Sequence, residues 1–109
     1  MNIVLSTLNA KYIHTSLALR FLAAYSRRYA GLDCTIAEFS INDQKGHVLS
    51  SLYERRPDVL CFSCYIWNIA AILPICEDFK KISPQTVIIL GGPEVSYDAP
   101  AVLKAHSCV

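Results

Sequence analysis

Cys61 and Cys64 stand in C-x-x-C spacing, which holds zinc or exchanges disulfides when it lies on a turn or at a helix start. Here the pair begins inside an apolar run, Asp58 to Ser63 (DVLCFS). Period-two alternation along a strand sends the two thiols to opposite faces, and no second pair completes a tetrahedral site. Metal or redox chemistry is therefore not expected of them. Gly91-Gly92-Pro93 has two readings. It is either a tight strand-to-helix turn, where glycine accepts positive φ and proline stiffens the exit, or room for a flat ligand to approach the backbone beside the small hydroxyl of Ser63. The segment Asn9 to Ser16 contains no glycine, so a pyrophosphate would find no backbone cradle there. A phosphate-accepting receiver needs acidic residues after its first and third strands, where this chain has Leu8-Asn9 and Ser63-Cys64. Both of those ligand classes are set aside.

The elements that must carry these residues alternate along the chain. Asn2 to Leu8 is a short apolar run, followed by a polar loop and then by Thr15 or Ser16 as a helix cap. That helix is expected to bury Ala18, Phe21, Leu22, Tyr25 and Tyr29, to carry Arg27 and Arg28 in its last turn, and to stop at Gly31. Asp33 to Phe39 reads as a strand near a sheet edge. Asn42 or Asp43 then caps a helix burying Val48, Leu49, Leu52 and Tyr53, which Pro57 ends. Asp58 to Ser63 is the most continuously apolar strand and belongs in the middle of the sheet, with Cys64 to Asn68 as its exit loop. Ile69, Ile72, Cys76, Phe79 and Ile82 form the next stripe, on a helix that either kinks at Pro74 or begins near Leu73. Thr86 to Leu90 is a fourth strand, and Asp98 caps a short helix from Pro100 to Ala105.

Strands and helices alternating at this interval specify parallel βαβ units with right-handed crossovers, a doubly wound sheet between two helical layers. Residues 1–109 fit one domain, read here as the N-terminal fragment of a longer protein, cut before or at a fifth strand. The composition is 53% apolar and 17% charged, which is globular. Its formal charge of +1 gives no footprint for nucleic acid or an anionic membrane. The five cysteines, Cys34, Cys61, Cys64, Cys76 and Cys108, read as reduced thiols of a cytoplasmic protein, most of them small buried hydrophobes. Val59 to Cys76 is apolar over the roughly 18 residues at which a spanning helix becomes conceivable, but Ser63, Asn68 and Pro74 interrupt it. A strand plus a helix describes it better.

In open α/β sheets a ligand lies beyond the carboxyl ends of the strands, which here means the loops Asn9 to Ser16, Ser63 to Asn68 and Gly91 to Tyr97. At these loops the chain resembles the cobalamin-binding domain found at the N-terminus of many radical S-adenosylmethionine enzymes. The residues that carry the likeness are TLNAKYIHTSLALR (Thr7 to Arg20), EFSINDQ (Glu38 to Gln44), FSCYIWN (Phe62 to Asn68) and ILGGPEVSYD (Ile89 to Asp98).

The resemblance implies a flavodoxin-like, Rossmann-like sheet holding a corrinoid over its strand ends, with the nucleotide tail in a slot between sheet and helix. It implies a cofactor site at Asn9, Lys11, Tyr12, His14, Ser63, Cys64, Tyr65, Gly91, Gly92, Pro93 and Glu94. Ser63 stands where the family has a serine, and Gly91-Gly92 match its glycine pair. Where cobalamin-dependent mutases carry D-x-H-x-x-G, this chain has Tyr12, His14 and Leu17. His14 either gives cobalt a neutral imidazole, oriented by another group than the missing Asp, or touches corrin or water. Tyr12, Tyr65 and Trp67 either pack on the corrin or serve a neighbouring domain; His47 and His106 need no function. A leucine at Gly92 is expected to block the slot with most of the fold intact.

The function implied is a module that presents cobalamin to a downstream radical catalytic domain. The parent would also hold a 4Fe-4S cluster and S-adenosylmethionine and would transfer methyl groups. These residues lack the cluster's C-x-x-x-C-x-x-C signature and are expected to catalyse nothing alone. The alternatives are a degenerate domain of the same fold that serves protein contacts and, third, a flavin or nucleotide site. An uncovered fourth strand is expected to drive self-association.

Overall fold

Seven elements follow one another as β1 (Ile3–Asn9), α1 (Leu17–Ala30), β2 (Cys34–Ser40), α2 (Lys45–Glu54), β3 (Val59–Ser63), α3 (Ile69–Ile82) and β4 (Val87–Gly91). They come from a computed structural model that describes residues 1–10 and 17–92. The loop expected to hold Lys11, Tyr12 and His14, the helix cap at Thr15 or Ser16, and everything from Pro93 onward lie outside the described residues.

All four strands are parallel, in the order β2-β1-β3-β4. This is the flavodoxin-like order, with β2 at an edge and β3 inside, as their apolar content indicates. Ile3 lies opposite both Cys34 and Val59, and Val59 lies opposite Val87, so the strands start level. Their carboxyl ends lie at the same edge of the sheet, β1 and β2 running two residues past β3 and β4. β1 is buried from Ile3 through Leu8, consistent with a strand covered on both faces.

Alternation divides the core into two layers. Val4, Leu8, Ala37, Leu60, Phe62 and Ile88 meet Val48 and Leu52 of α2 and Ile72, Ile75, Cys76 and Phe79 of α3. Ile3 and Leu5 face the other way, against Leu19 of α1, with Ala23, Cys34, Ile36, Val59 and Cys61 packed around them. An ion pair from Lys45 to Asp78 at 2.7 Å ties α2 to α3 on the outside. Its lysine, helped by Lys81, holds the Asp78 carboxyl below the usual range.

Helix α1 turns a different side to the sheet from the one expected. Leu19 is buried and Ala23 partly so, while Ala18, Phe21, Leu22, Tyr25 and Tyr29 are exposed, Tyr25 at 64%. The cause lies in the layers: α1 is the only described helix on its face, so one narrow stripe meets the strands. The rest of its wide apolar arc is left outside, where the Tyr25 and Tyr29 rings contact each other at 4.6 Å.

Smaller departures share one theme, local polar groups being used elsewhere. Asp43 does not cap α2; its carboxylate accepts from Ser40 N–H at 2.8 Å and closes the turn after β2, leaving Gln44 at the cap. Tyr53 and Ile82, expected inside, are exposed at the last turns of their helices. Helix α3 begins at Ile69, not near Leu73, and includes Pro74 within its length.

Leu52 is wholly enclosed between α2 and the sheet. Leu52→Ala is expected to lower unfolding free energy by about 2–5 kcal/mol, the usual range for such a truncation, measured as a shifted urea midpoint at unchanged slope.

Candidate functional site

From β1 the chain crosses by α1 to β2 on one side; from β3 it crosses by α3 to β4 on the other. Strand order thus diverges between β1 and β3, and a crevice opens at their carboxyl ends. Asn68 fills its floor. Fully buried, its carboxamide nitrogen donates to Thr7 Oγ1 at 3.2 Å, Leu8 O at 3.1 Å and Ser63 O at 3.3 Å. Its oxygen accepts from Tyr65 N–H at 2.7 Å. The Thr7 hydroxyl donates to Ser63 O at 2.8 Å, so this carbonyl is held twice. The Ser63 hydroxyl has no such partner among the described residues.

Beside this floor lies an open cleft of about 370 Å³ between α1 and the strands β3 and β4. Ala18, Leu19 and Leu22 form its helical wall; Cys61, Ser63, Ile89, Gly91 and Gly92 lie along the sheet, and Tyr65 stands at the rim. Tyr65 is stacked on Trp67 with ring centroids 4.5 Å apart and planes 2° from parallel. A volume of this size lies at the small end of the range for ligand sites.

The two glycines do different work. Gly92 has φ +102, and a Cβ there would sit 2.5 Å from Cys64 O and 3.0 Å from Cys64 N. No other residue fits, because the obstacle is backbone. The expectation that Gly92 accepts leucine with the fold intact is therefore overturned. Gly91 adds nothing to that constraint: its carbonyl accepts from Cys64 N–H at 2.7 Å, and a Cβ on it meets nothing within 4 Å. The turn reading belongs to Gly92, and the open-space reading to Gly91.

Of the residues expected in a site, Ser63, Tyr65, Gly91 and Gly92 come together around the cleft. Cys64 is buried against the opposite layer and contributes backbone. Asn9 closes the end of β1, its carbonyl accepting from Ile41 N–H at 2.9 Å. Lys11, Tyr12, His14, Pro93 and Glu94 lie outside the described residues. Sequence reasoning missed Thr7, Asn68 and the α1 wall. The one available signal was Asn68 itself, an uncharged polar residue inside an otherwise apolar stretch.

Cys61 and Cys64 point to opposite layers, as alternation requires. Burial, and then the neighbouring Cys34, push the Cys61 thiol up, away from the reactive thiolate. Among the described residues no three His, Cys, Asp or Glu side chains gather to hold a metal. No described helix is long and apolar enough to cross a membrane.

A family model described as the B12 binding domain matches residues 3–109, and the chain belongs to that family. It is 38% identical over 40 residues to the cobalamin-dependent radical SAM methyltransferase TokK of Streptomyces tokunonensis, a match covering 37% of this chain and 6% of that protein. It is likewise 38% identical over 39 residues to a 2-(S-pantetheinyl)-carbapenam-3-carboxylate methyltransferase of Streptantibioticus cattleyicolor, covering 36% of this chain and 6% of that one. The matched stretch is a small part of either relative.

The two glycines separate experimentally. Gly92→Ala is expected to lower stability by about 1–3 kcal/mol through strain and backbone overlap. Gly91→Ala, entering open space on a strand, is expected to stay within about 1 kcal/mol of the parent or gain slightly. Urea unfolding of both variants reads the difference; equal losses would contradict the assignment.

Proposed function

We propose that this B12-binding domain seats the nucleotide tail of cobalamin in the cleft between α1 and β3–β4, with the corrin over the strand ends. The observation that carries this is the open space over Gly91, where a Cβ would meet nothing within 4 Å, on the sheet side of the cleft, so that a flat group reaches strand backbone there without displacing a side chain. Ala18 and Leu22 offer apolar contact to one side of such a group, Ile89 to the other, and the Ser63 hydroxyl is a hydrogen-bonding partner at its edge. The Tyr65–Trp67 stack stands where the tail would meet the ring system. His14 and Tyr12 are proposed to complete the site from the residues that follow β1 in the chain, and Pro93 and Glu94 from those that follow β4.

Bound cobalamin would supply a cobalt centre able to carry a methyl group. The chain's own part is to bind and orient it. One matched relative is named a radical SAM methyltransferase and the other a methyltransferase, which supports methyl transfer by a radical S-adenosylmethionine domain in the full-length protein; a 4Fe-4S cluster is proposed there as that domain's cofactor. That role rests on analogy between partial matches. Protein contact, the second reading, is favoured at a different place: Tyr25 and Tyr29 of α1 and the half-exposed Val87 of β4 are apolar groups outside the cleft. The two roles are compatible.

Two measurements test these readings. After incubation with hydroxocobalamin and gel filtration, the protein is expected to carry corrin absorbance, and Gly91→Leu to lose it while keeping its far-ultraviolet circular dichroism. Unchanged corrin retention by Gly91→Leu would remove the cleft from the site, and a changed corrin spectrum in His14→Ala would put that imidazole on cobalt. For the apolar surface, sedimentation velocity is expected to show association rising with concentration. A strict monomer would mean that the surface is covered.

A further inference from the structure

We infer that Asn68 is a positioning residue of the cofactor site: it fixes the loop from Cys64 to Trp67, and through it the Tyr65 wall, against the end of β1. The inference rests on the cobalamin reading for what the wall contacts, but its geometry stands independently.

Asn68 occupies the cap position of α3, where asparagine ordinarily turns its side chain forward to accept from the helix's first free N–H groups. Here no such bond is made. The carboxamide points back instead, and all four of its described bonds go to the strand ends and the loop. A favourable local contact has been given up for a longer-range one, the kind of departure from local rules that gathers at functional sites.

The side chain holds specific groups. Tyr65 is gripped at both of its backbone groups, its N–H by Asn68 Oδ1 at 2.7 Å and its carbonyl by the Asn68 N–H at 3.1 Å. With the neighbouring Cys64 N–H bound to Gly91 O at 2.7 Å, the loop has little freedom between the two strands. Its side chains then stand in one arrangement, Tyr65 at the cleft and Trp67 stacked on it. The donors of the same carboxamide reach Thr7 and Leu8, so the positions of the β1 and β3 ends are set by one planar group. Alanine at 68 would free Tyr65 N–H and leave the Leu8 carbonyl without this donor.

The test compares Asn68→Ala and Asn68→Asp with Val48→Ala, a core truncation on α2 away from the crevice. Three properties are read in each: urea midpoint, near-ultraviolet circular dichroism of the stacked Tyr65–Trp67 pair, and retention of hydroxocobalamin. Val48→Ala is expected to lower the midpoint and leave the other two unchanged. Asn68→Ala is expected to lose the aromatic signal as well and to weaken corrinoid binding by about tenfold or more, on the scale of one lost buried hydrogen bond. Asn68→Asp keeps an oxygen for Tyr65 N–H but turns an acceptor toward the Leu8 and Ser63 carbonyls, so it is expected to lower the midpoint and to lose the aromatic signal as well.

A folded Asn68→Ala protein with the parental aromatic signal and parental affinity overturns the inference. Should Asn68→Ala not fold, Asn68→Asp decides, its aromatic signal lost supporting the inference, and parental signal with parental affinity opposing it. If the parent itself retains no corrinoid, the cobalamin reading fails, and the aromatic signal alone still decides the role of Asn68.

Discussion

The site exists because parallel strands in one sheet are joined by right-handed crossovers. With the order β2-β1-β3-β4, that rule sends α1 to one face and both α2 and α3 to the other. One face is thereby packed by two helices, while the described part of the other has a single helix over β1 and its neighbours. The cleft above β3 and β4 follows from this asymmetry, and so does the crevice where the crossovers diverge. Neither requires an unusual residue to create it. The sequence adds the set of residues that keep these spaces open and dry-walled without leaving polar atoms unpaired.

That second condition is demanding at the end of a buried sheet, because the last carbonyls of β1 and β3 are enclosed by the layers around them. An unmet carbonyl there would cost about 1–3 kcal/mol. Asn68 and Thr7 answer it with side-chain donors, and among the described residues no buried side-chain nitrogen or oxygen lacks a partner. The amino ends are closed in a similar way. Asn2 donates to Asp58 from its backbone at 2.6 Å and to the Arg55 and Arg56 carbonyls from its side chain, while Arg56 takes positive φ after α2. Both rims of the sheet are thus tied by asparagines, one at the amino end of β1 and one at the site.

Much of this was legible because it follows from period and punctuation. Each described strand lies within one residue of its expected bounds, and the inner position of β3 follows from its apolar run. The side of α1 that meets the sheet was not legible. A helix with an apolar arc wider than its partner surface presents several acceptable stripes, and only the number of helices on its face selects one. The glycine pair shows the same limit at finer scale. Both residues suit a turn and both suit close approach, and the choice depends on the Cys64 backbone, which packs near one and not the other. Asn68 was hidden for a related reason: at a loop–helix junction its identity already has an ordinary explanation as a cap, so nothing local signals that its side chain is used elsewhere.

The cleft's size constrains how a cofactor as large as cobalamin could be held. A space of about 370 Å³ matches a single flat heterocycle with its sugar better than a corrin ring. On the proposed reading the tail is then the part sequestered by protein, and the ring system must lie across the strand ends, open on its outer side. Such a division leaves the cobalt accessible to a second domain without any opening motion of this one. On that reading the loop between β3 and α3 is where rigidity would matter most, since Tyr65, at the cleft and stacked on Trp67, would stand at the junction of the two parts. The residues around the cleft would supply affinity through apolar contact, and the backbone clamp at Asn68 and Gly92 would supply orientation.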